Sequence, residues 1–170
     1  KDNGVDLLVL GPGTHLKWLL GFSPAQDERP SVLLIGKEKE IFLIPSVNAE
    51  DVRRKTDIKI TVWKDESGPD QALKEALLYI DESSAKHIAI DEAMRAHFAL
   101  IAIDALPNPT HEFTGSTIGA LRMRKDQTEF INLKENALID DRAMKAGFAA
   151  IKEGVTELEI GKAVNKHFIS

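Results

Sequence analysis

The last fifty residues constrain the fold most, because they specify helices whose ends are defined by local signals. Apolar residues recur at steps of three, four and seven along one side of the first helix, at Phe130, Leu133, Ala137, Met144, Phe148 and Ile151. Asp126 suits the N-cap of this helix and Gly154 suits a left-handed C-cap. An apolar stripe of this length needs a surface to pack on. We therefore predict that the chain is a fragment and that most of this packing partner is missing.

A second helix is predicted directly after a turn at residues 154–157. Thr156 and Glu159 form the capping-box pattern, in which each side chain accepts a hydrogen bond from the backbone of the other residue. Val155 and Ile160 have the spacing of a hydrophobic staple. The chain therefore contains two consecutive helices with strong start signals.

The first 119 residues alternate between strand and helix patterns. Strands are predicted at 5–10, 32–35, 40–44, 58–63, 87–91 and 110–113. Helices are predicted at 14–20, 48–55, 69–80 and 93–106, with Thr14 as the cap of the first. A hairpin near the start, followed by this alternation, indicates an α/β fold with a mixed β-sheet flanked by helices. We predict one domain at 1–119, followed by a junction and helices of a second domain at 120–170.

Composition excludes several classes of function. The formal net charge of -5 gives no electrostatic reason to bind nucleic acid or an anionic membrane. No apolar run approaches the length of a membrane span. The chain has no cysteine, which removes disulfides, zinc-thiolate sites and thiol nucleophiles and fits a reducing compartment. We predict a cytoplasmic protein with neither nucleic acid nor membrane as partner.

The residues alone reveal no active site. None of the histidines has a spacing that metals use, whether at His15, His87, His97, His111 or His167. The adjacent acids Asp140 and Asp141 diverge by about 100° on a helix and cannot form a catalytic pair. Trp18, Leu19 and Phe22 follow helical spacing and are predicted to lie in the core. We therefore predict no catalytic residue and no metal ligand.

Five segments, taken in order, resemble one enzyme family. Residues 12–22, Pro-Gly-Thr-His-Leu-Lys-Trp-Leu-Leu-Gly-Phe, resemble the Pro…Tyr-Leu-Thr-Gly-Phe signature of creatinase, prolidase and aminopeptidase P proteins, the "pita-bread" metallopeptidases. Residues 28–35 are similar to the segment that enters their first hairpin, and residues 121–129 to their interdomain Arg…Lys…Glu motif. Residues 137–143 and 154–157 resemble the first helix and the Gly-x-Thr-Glu turn of their catalytic domain.

This resemblance implies a fold and a division of labour. Such proteins have an N-terminal mixed sheet of ribonuclease H-like topology, without ribonuclease H activity, and then a catalytic pita-bread domain. That second domain supplies two Asp, one His and two Glu to a pair of divalent metal ions, Mn, Co or Zn. None of those ligand motifs occurs in this chain. The resemblance therefore implies an inactive N-terminal portion of a Xaa-Pro dipeptidase or aminopeptidase, whose substrate is a short proline-containing peptide.

The resemblance also implies that the N-terminal domain mediates homodimerisation and that one of its loops limits access to the active site. The loop at 22–29 is our candidate, with Phe22 at the substrate mouth and Asp27 or Arg29 at a charged peptide terminus. A surface loop without substrate contact is an equal alternative. Two other functions stay open, namely a protein-binding module without catalysis and a creatinase-type hydrolase of a small guanidino compound. The departures at Trp18, where Tyr is commoner, and Leu20, where Thr is commoner, leave the subfamily open.

Overall fold

A computed structural model describes residues 4–169, and the chain divides into two compact units after Leu121. The strands are β1 (Leu7–Leu10), β2 (Val32–Ile35), β3 (Glu40–Pro45), β4 (Ile60–Trp63), β5 (His87–Ile90) and β6 (Thr110–Phe113). The helices are α1 (Thr14–Leu20), α2 (Ser46–Arg53), α3 (Asp70–Tyr79), α4 (Ala96–Asp104), α5 (Ile118–Met123), α6 (Gln127–Ala150) and α7 (Glu157–Asn165). Within residues 4–169, no helix combines the length and apolar character needed to cross a membrane.

The six strands form one mixed sheet in the order β4-β3-β2-β1-β5-β6. The strand β2 runs antiparallel to both of its neighbours, β1 and β3, and the predicted hairpin joins it to β3. The pairs β3 with β4, β1 with β5, and β5 with β6 are parallel. This arrangement confirms the prediction of a mixed sheet flanked by helices.

Both faces of the sheet are covered, which explains the nearly continuous apolar character of its central strands. On one face, Leu7 and Val9 of β1 share a core cluster with residues of α3 and α4, including Leu73 and Phe98. On the other face lies a second cluster, formed by Leu10, Leu16, Leu33, Phe42, Ile44, Ala49, Val52 and Ile118. The sheet therefore holds the strand ends of the first unit in fixed positions.

The prediction that Trp18 and Leu19 lie in the core is wrong, since their exposed fractions are 39% and 38%. The helix α1 has only seven residues and turns His15 and Leu16 inward. Trp18 lies about 200° around the helix from Leu16, so it faces outward. Phe22 is half-buried, and its ring centroid lies 6.3 Å from that of Phe42. These residues do have the spacing of an apolar stripe, but a helix of seven residues buries only part of that stripe.

Two predicted caps also differ in the structure. Gly13, not Thr14, is the N-cap of α1, and no side chain caps that helix. The helix α6 ends at Ala150, and Gly154 lies beyond it, with a φ of 83°, in the turn before α7. Gly154 therefore supplies a left-handed turn conformation, but it does not end the helix.

In the second unit, α6 and α7 pack against each other and begin at capping boxes. The Asp126 Oδ1 accepts a 2.8 Å bond from the Glu129 N–H, and the Glu159 carboxylate accepts a 2.8 Å bond from the Thr156 N–H. A Cβ added at Gly147 would lie 2.7 Å from the Val164 Cγ2, so this glycine permits the close approach of the two helices. The predicted N-cap at Asp126 and capping box at Thr156 are confirmed.

Candidate functional site

The sheet topology brings polar side chains together where the parallel neighbours β1 and β5 end. The chain leaves β1 through Gly11 and enters α1, which carries His15, while Asp91 follows β5 directly. A Cβ at Gly11 would lie 2.5 Å from the Met94 Cβ, so glycine is needed for the two connections to approach so closely. We call the group formed by His15, Asp91, Glu92 and Thr114 the His15 cluster.

One oxygen from each of Asp91, Glu92 and Thr114 lies near the same ring nitrogen of His15. The His15 Nε2 lies 3.6 Å from the Glu92 Oε1, 3.8 Å from the Asp91 Oδ1 and 3.2 Å from the Thr114 Oγ1. The Thr114 hydroxyl donates its one hydrogen to the Glu92 Oε2 over 2.5 Å. The same hydroxyl must therefore accept from the His15 Nε2–H, which fixes the tautomer of the imidazole.

The two adjacent carboxyl groups have opposite pKa shifts because their surroundings differ. The pKa of Asp91 is raised mainly by burial, since the residue is 2% exposed, although the Ala93 N–H opposes the shift with a 2.9 Å bond to the Oδ1. The pKa of Glu92 is lowered, first by the hydrogen bond from the Thr114 hydroxyl. The side chain of Glu92 is 47% exposed and forms the solvent side of the cluster.

The chemistry available to the His15 cluster follows from this geometry. In a catalytic triad of a nucleophile, a histidine and an aspartate, the carboxylate and the nucleophile bind opposite nitrogens of the histidine ring. Here Asp91, Glu92 and Thr114 all face the His15 Nε2, and Thr114 is fully buried. The arrangement therefore does not suit nucleophilic catalysis. It offers one nitrogen and two carboxylates to a single point in space, which is a donor set for a proton or a cation.

The loop proposed from the sequence is held by the surrounding residues. The ring of Phe22 packs near Phe42, and the Lys55 Nζ lies 5.9 Å from its centroid. The Asp27 Oδ1 accepts a 2.8 Å bond from the Arg29 N–H, and its Oδ2 accepts a 3.3 Å bond from the Asn48 amide. Asp27 and Arg29 thus belong to one local turn, while Phe22 is fixed by ring contacts.

The Arg29 guanidinium already has two carboxylate partners. Its Nε lies 3.0 Å from the Asp65 Oδ1 and its Nη2 lies 3.0 Å from the Asp65 Oδ2, a two-point contact. Its Nη1 lies 2.9 Å from the Glu28 Oε1. The contact with Arg29 lowers the pKa of the Asp65 carboxyl.

Arg29 also lines an open cleft of about 450 Å³ with Trp63 and His97. Contact between this loop and a substrate stays a prediction.

Sequence reasoning missed the His15 cluster because its members are distant along the chain. His15 and Thr114 are separated by 99 positions and show no motif spacing. One signal was present, since His15 closely follows one predicted strand and Asp91 is the last residue of another. The sequence did not show that β1 and β5 are parallel neighbours, and only that pairing places the two strand ends at one edge.

Known proteins resemble this chain along nearly all of its length. A Xaa-Pro dipeptidase from Lactobacillus delbrueckii subsp. lactis is 24% identical over an alignment that covers 92% of this chain and 44% of that protein. The structure of a dipeptidase from Pyrococcus horikoshii OT3 superposes with a TM-score of 0.79 at 27% identity, covering 95% of this chain and 45% of that one. Dipeptidase PepE from Mycobacterium ulcerans shares the fold, with a TM-score of 0.80 at 22% identity, covering 98% and 45%.

The matches cover only part of each relative. The chain spans less than half the length of each of these relatives. The family model described as the creatinase/prolidase N-terminal domain matches residues 1–124. Because this match covers well over half of the chain and agrees with the sheet and its order of elements, the chain belongs to the creatinase/prolidase N-terminal domain family.

Proposed function

We propose that this chain is the N-terminal, non-catalytic portion of a metal-dependent Xaa-Pro peptidase of the dipeptidase or aminopeptidase P type. The observation that carries the proposal is the end-to-end similarity to less than half of a Xaa-Pro dipeptidase. The matched family is itself an N-terminal domain. On this proposal, residues 1–119 form that domain and residues 120–170 lead into the first helices of the catalytic domain.

The two divalent ions implied by the family, Mn, Co or Zn, would be held by the catalytic part of the longer protein. The described residues do not fit such a pair, because Asp140 and Asp141 on α6 are adjacent and their side chains diverge. Among residues 4–169, the only grouping of three potential ligands is that of His15, Asp91 and Glu92. We therefore assign this chain no step in peptide hydrolysis.

The roles left to this portion are homodimerisation and control of substrate access, in a cytoplasmic enzyme that acts on short proline-containing peptides. Two features support a role for the loop at 22–29. The Arg29 guanidinium is held in one orientation by Asp65 and Glu28, beside an open cleft. Phe22 is fixed on Phe42. A positioned cation and a positioned aromatic ring suit the recognition of a peptide carboxylate and an apolar side chain.

The proposal is tested by following the reading frame past Ser170 and expressing the longer product beside the 170-residue chain. We expect the longer product to carry an Asp, Asp, His, Glu, Glu set and to hydrolyse a Xaa-Pro dipeptide with Mn²⁺, Co²⁺ or Zn²⁺. We expect no turnover from the shorter chain, and light scattering should give the mass of a dimer for the longer one. A frame without the ligand set would favour the protein-binding module, and turnover of a guanidino compound in place of the peptide would favour creatinase-type chemistry.

The substrate-access role has its own test in the longer product. Arg29→Ala should lower kcat/KM for a Xaa-Pro dipeptide by about 10- to 100-fold, because a charge-assisted contact is worth roughly 1.5–3 kcal/mol. Arg54→Ala is the matched control, since Arg54 is an exposed arginine paired with Glu50 four residues earlier. Equal kcat/KM values for the two variants would remove Arg29 from substrate recognition.

A further inference from the structure

We propose that the His15 cluster binds one divalent transition-metal cation of the Zn²⁺ or Mn²⁺ class. The ligands are the His15 Nε2 and one oxygen from each of Asp91 and Glu92. Neither the family assignment nor the proposed function requires this site, because the metal pair of the proposed peptidase lies in another part of the longer protein. A test of this cation site therefore does not depend on whether the proposed function is correct.

The spacing of the three ligand atoms fits one cation. Atoms about 2.1 Å from a tetrahedral cation lie on the order of 3.4 Å from one another. The His15 Nε2 lies 3.6 Å from the Glu92 Oε1 and 3.8 Å from the Asp91 Oδ1. All three ligand atoms lie within 4.8 Å of one another. The Glu92 side chain is half-exposed, so it can move its Oε1 closer to the other two ligand atoms around an ion.

Donors of the protein hold one oxygen of each carboxylate and so orient both groups. The Glu92 Oε2 is held by the Thr114 hydroxyl at 2.5 Å and the Thr114 N–H at 3.3 Å, which turns the Oε1 toward His15. The Asp91 Oδ1 is held by the Ala93 N–H at 2.9 Å. Anchoring of this kind orients ligands in metal sites, where outer hydrogen bonds fix the position of each carboxylate.

The independent sign of a ligand is the second oxygen of Asp91. The Asp91 Oδ2 is buried in a side chain that is only 1% exposed, and it has no hydrogen-bond partner among residues 4–169. The Gly11 N–H helps to lower the pKa of Asp91 but does not reach hydrogen-bond geometry with this oxygen. A buried polar atom left without a partner costs about 1–3 kcal/mol, so such atoms are rare. The carboxyl faces the cluster, with its other oxygen 3.8 Å from the His15 Nε2. A cation bound by the Asp91 carboxylate would lie beside this oxygen and compensate its charge.

Access and charge also favour a cation. Asp91 and His15 form the buried wall of the cluster, while Glu92 opens to solvent with nearly half of its side chain exposed. Three protein ligands leave the fourth position of a tetrahedral ion open on that side. A divalent ion would neutralise both carboxylates, which removes the cost of keeping Asp91 ionised in a buried place.

Binding would change the state of His15 in a measurable way. Without a cation, the Nε2 carries the hydrogen that is donated to the Thr114 Oγ1. A metal uses the Nε2 lone pair, so the neutral ring must carry its hydrogen on the Nδ1 instead. The hydrogen bond between the Nε2 and Thr114 is exchanged for the bond to the metal, and no oxidant or reductant is involved.

Calorimetric titration of the EDTA-treated 170-residue chain with Zn²⁺, and separately with Mn²⁺, tests the proposal. We expect one cation per chain and a loss of affinity of more than about 100-fold in Glu92→Gln, which removes a charged ligand. Glu92 is half-exposed, so this variant should fold. The matched control is His87→Ala, because the His87 Nε2 lies 3.7 Å from the Glu112 Oε2 in a histidine and carboxylate pair that lacks the third ligand. This control should bind as the parent does.

Two further measurements test the cation site even if the Glu92→Gln variant folds poorly. Asp91→Asn should match or exceed the parent in Tm when EDTA is present, because it removes a buried charge, but only the parent should gain several degrees with Zn²⁺. In the parent, Zn²⁺ should move the ¹⁵N signal of the His15 Nε2 and switch the ring to its Nδ1–H form. Equal Zn²⁺ uptake by the parent and Glu92→Gln, or an unmoved His15 ring, would overturn the assignment.

Discussion

The two units of this chain bury their apolar side chains very differently. In residues 4–121, large side chains such as Phe42 and Phe98 are almost fully enclosed between sheet and helices. In residues 122–169, the buried helical positions are Ala143 and Gly147, both small. Most of the larger apolar side chains there are exposed, among them Phe130, Ile131, Leu133, Leu138, Met144, Phe148, Ile151, Leu158 and Phe168. An amphipathic pattern thus determines where a helix forms, but a core needs an opposing surface.

The comparison also separates two sources of order. The first unit depends on contacts between residues far apart in sequence, such as the pairing of β1 with β5. The helices of the second unit depend more on local signals, because both α6 and α7 begin at capping boxes. Mutations in the two units should therefore differ in how much stability they remove. They should also differ in whether the first unit or the second unit is destabilised.

The largest expected effect comes from removing a core side chain of the first unit. Phe42→Ala should lower the free energy of unfolding by about 3–5 kcal/mol, because Phe42 is fully buried and the variant leaves a cavity. Phe130→Ala on α6 is the matched control and should change it by less than about 0.5 kcal/mol, since Phe130 is exposed. Urea unfolding followed by tryptophan fluorescence measures the first unit alone, because both tryptophans, Trp18 and Trp63, lie in it. Similar losses in both variants would refute the contrast.

The next effect concerns the contact between α6 and α7. Gly147→Ala should destabilise that contact by about 1–3 kcal/mol, because the new Cβ would lie 2.7 Å from the Cγ2 of the stiff Val164 side chain. Gly161→Ala is the control, since nothing lies within 4 Å of a Cβ there, and it should stabilise α7 by up to about 1 kcal/mol. Hydrogen exchange of the α7 amides measures the change in stability in both variants. Adding Val164→Ala should restore protection to the Gly147→Ala variant, and a failure to do so would contradict the proposed clash.

A smaller effect follows from an electrostatic contact in the first unit. The pKa of Asp6 is lowered to about 2, first by the Lys37 ammonium at 2.7 Å and then by the Lys86 N–H at 2.9 Å. The folded pKa lies below the unfolded value near 4, so the carboxylate stabilises the fold above that value. This contribution is lost as the pH falls through about 2.

The corresponding variant is Asp6→Asn, which should lose about 1–2 kcal/mol at pH 6, allowing for solvent screening. The difference from the parent should shrink to a small remainder toward pH 2, where the Asp6 carboxyl of the folded parent is about half protonated. Asp57→Asn, at an exposed aspartate before β4, is the control variant. Urea midpoints between pH 2 and pH 7 measure this, and a constant difference between the parent and Asp6→Asn would contradict the assigned pKa.

Much of the fold was predictable because local patterns and sheet packing agree. The hairpin of β2 and β3 was predicted within one residue, since turn residues separate two apolar runs. Where prediction failed, the missing information was spatial. Trp18 follows the spacing of a buried helical face, yet the short α1 turns only His15 and Leu16 inward. Periodicity defines a stripe, but the packing around it decides how much of the stripe is covered.

The candidate site was much less predictable than the fold. His15 and Asp91 meet only because β1 and β5 are adjacent, and Thr114 joins them from the segment after β6. Each of these residues alone looks ordinary in the sequence. Pairing of distant strands is governed by the whole core, so a site built at strand ends cannot be found from motif spacing alone.

The smallest effect tests the local order of the second unit. Thr156→Ala should cost α7 about 1 kcal/mol, because the Thr156 Oγ1 accepts the Glu159 N–H at 3.3 Å and thereby satisfies a helix donor that would otherwise lack a partner. Thr156→Ser keeps the hydroxyl and should retain most of that stability. Hydrogen exchange should speed up in the first turn of α7, while the fluorescence-detected urea midpoint of the first unit stays unchanged. A shift of that midpoint in Thr156→Ala would show that α7 is coupled to the sheet, and the contrast between a locally ordered unit and a core-ordered unit would then fail.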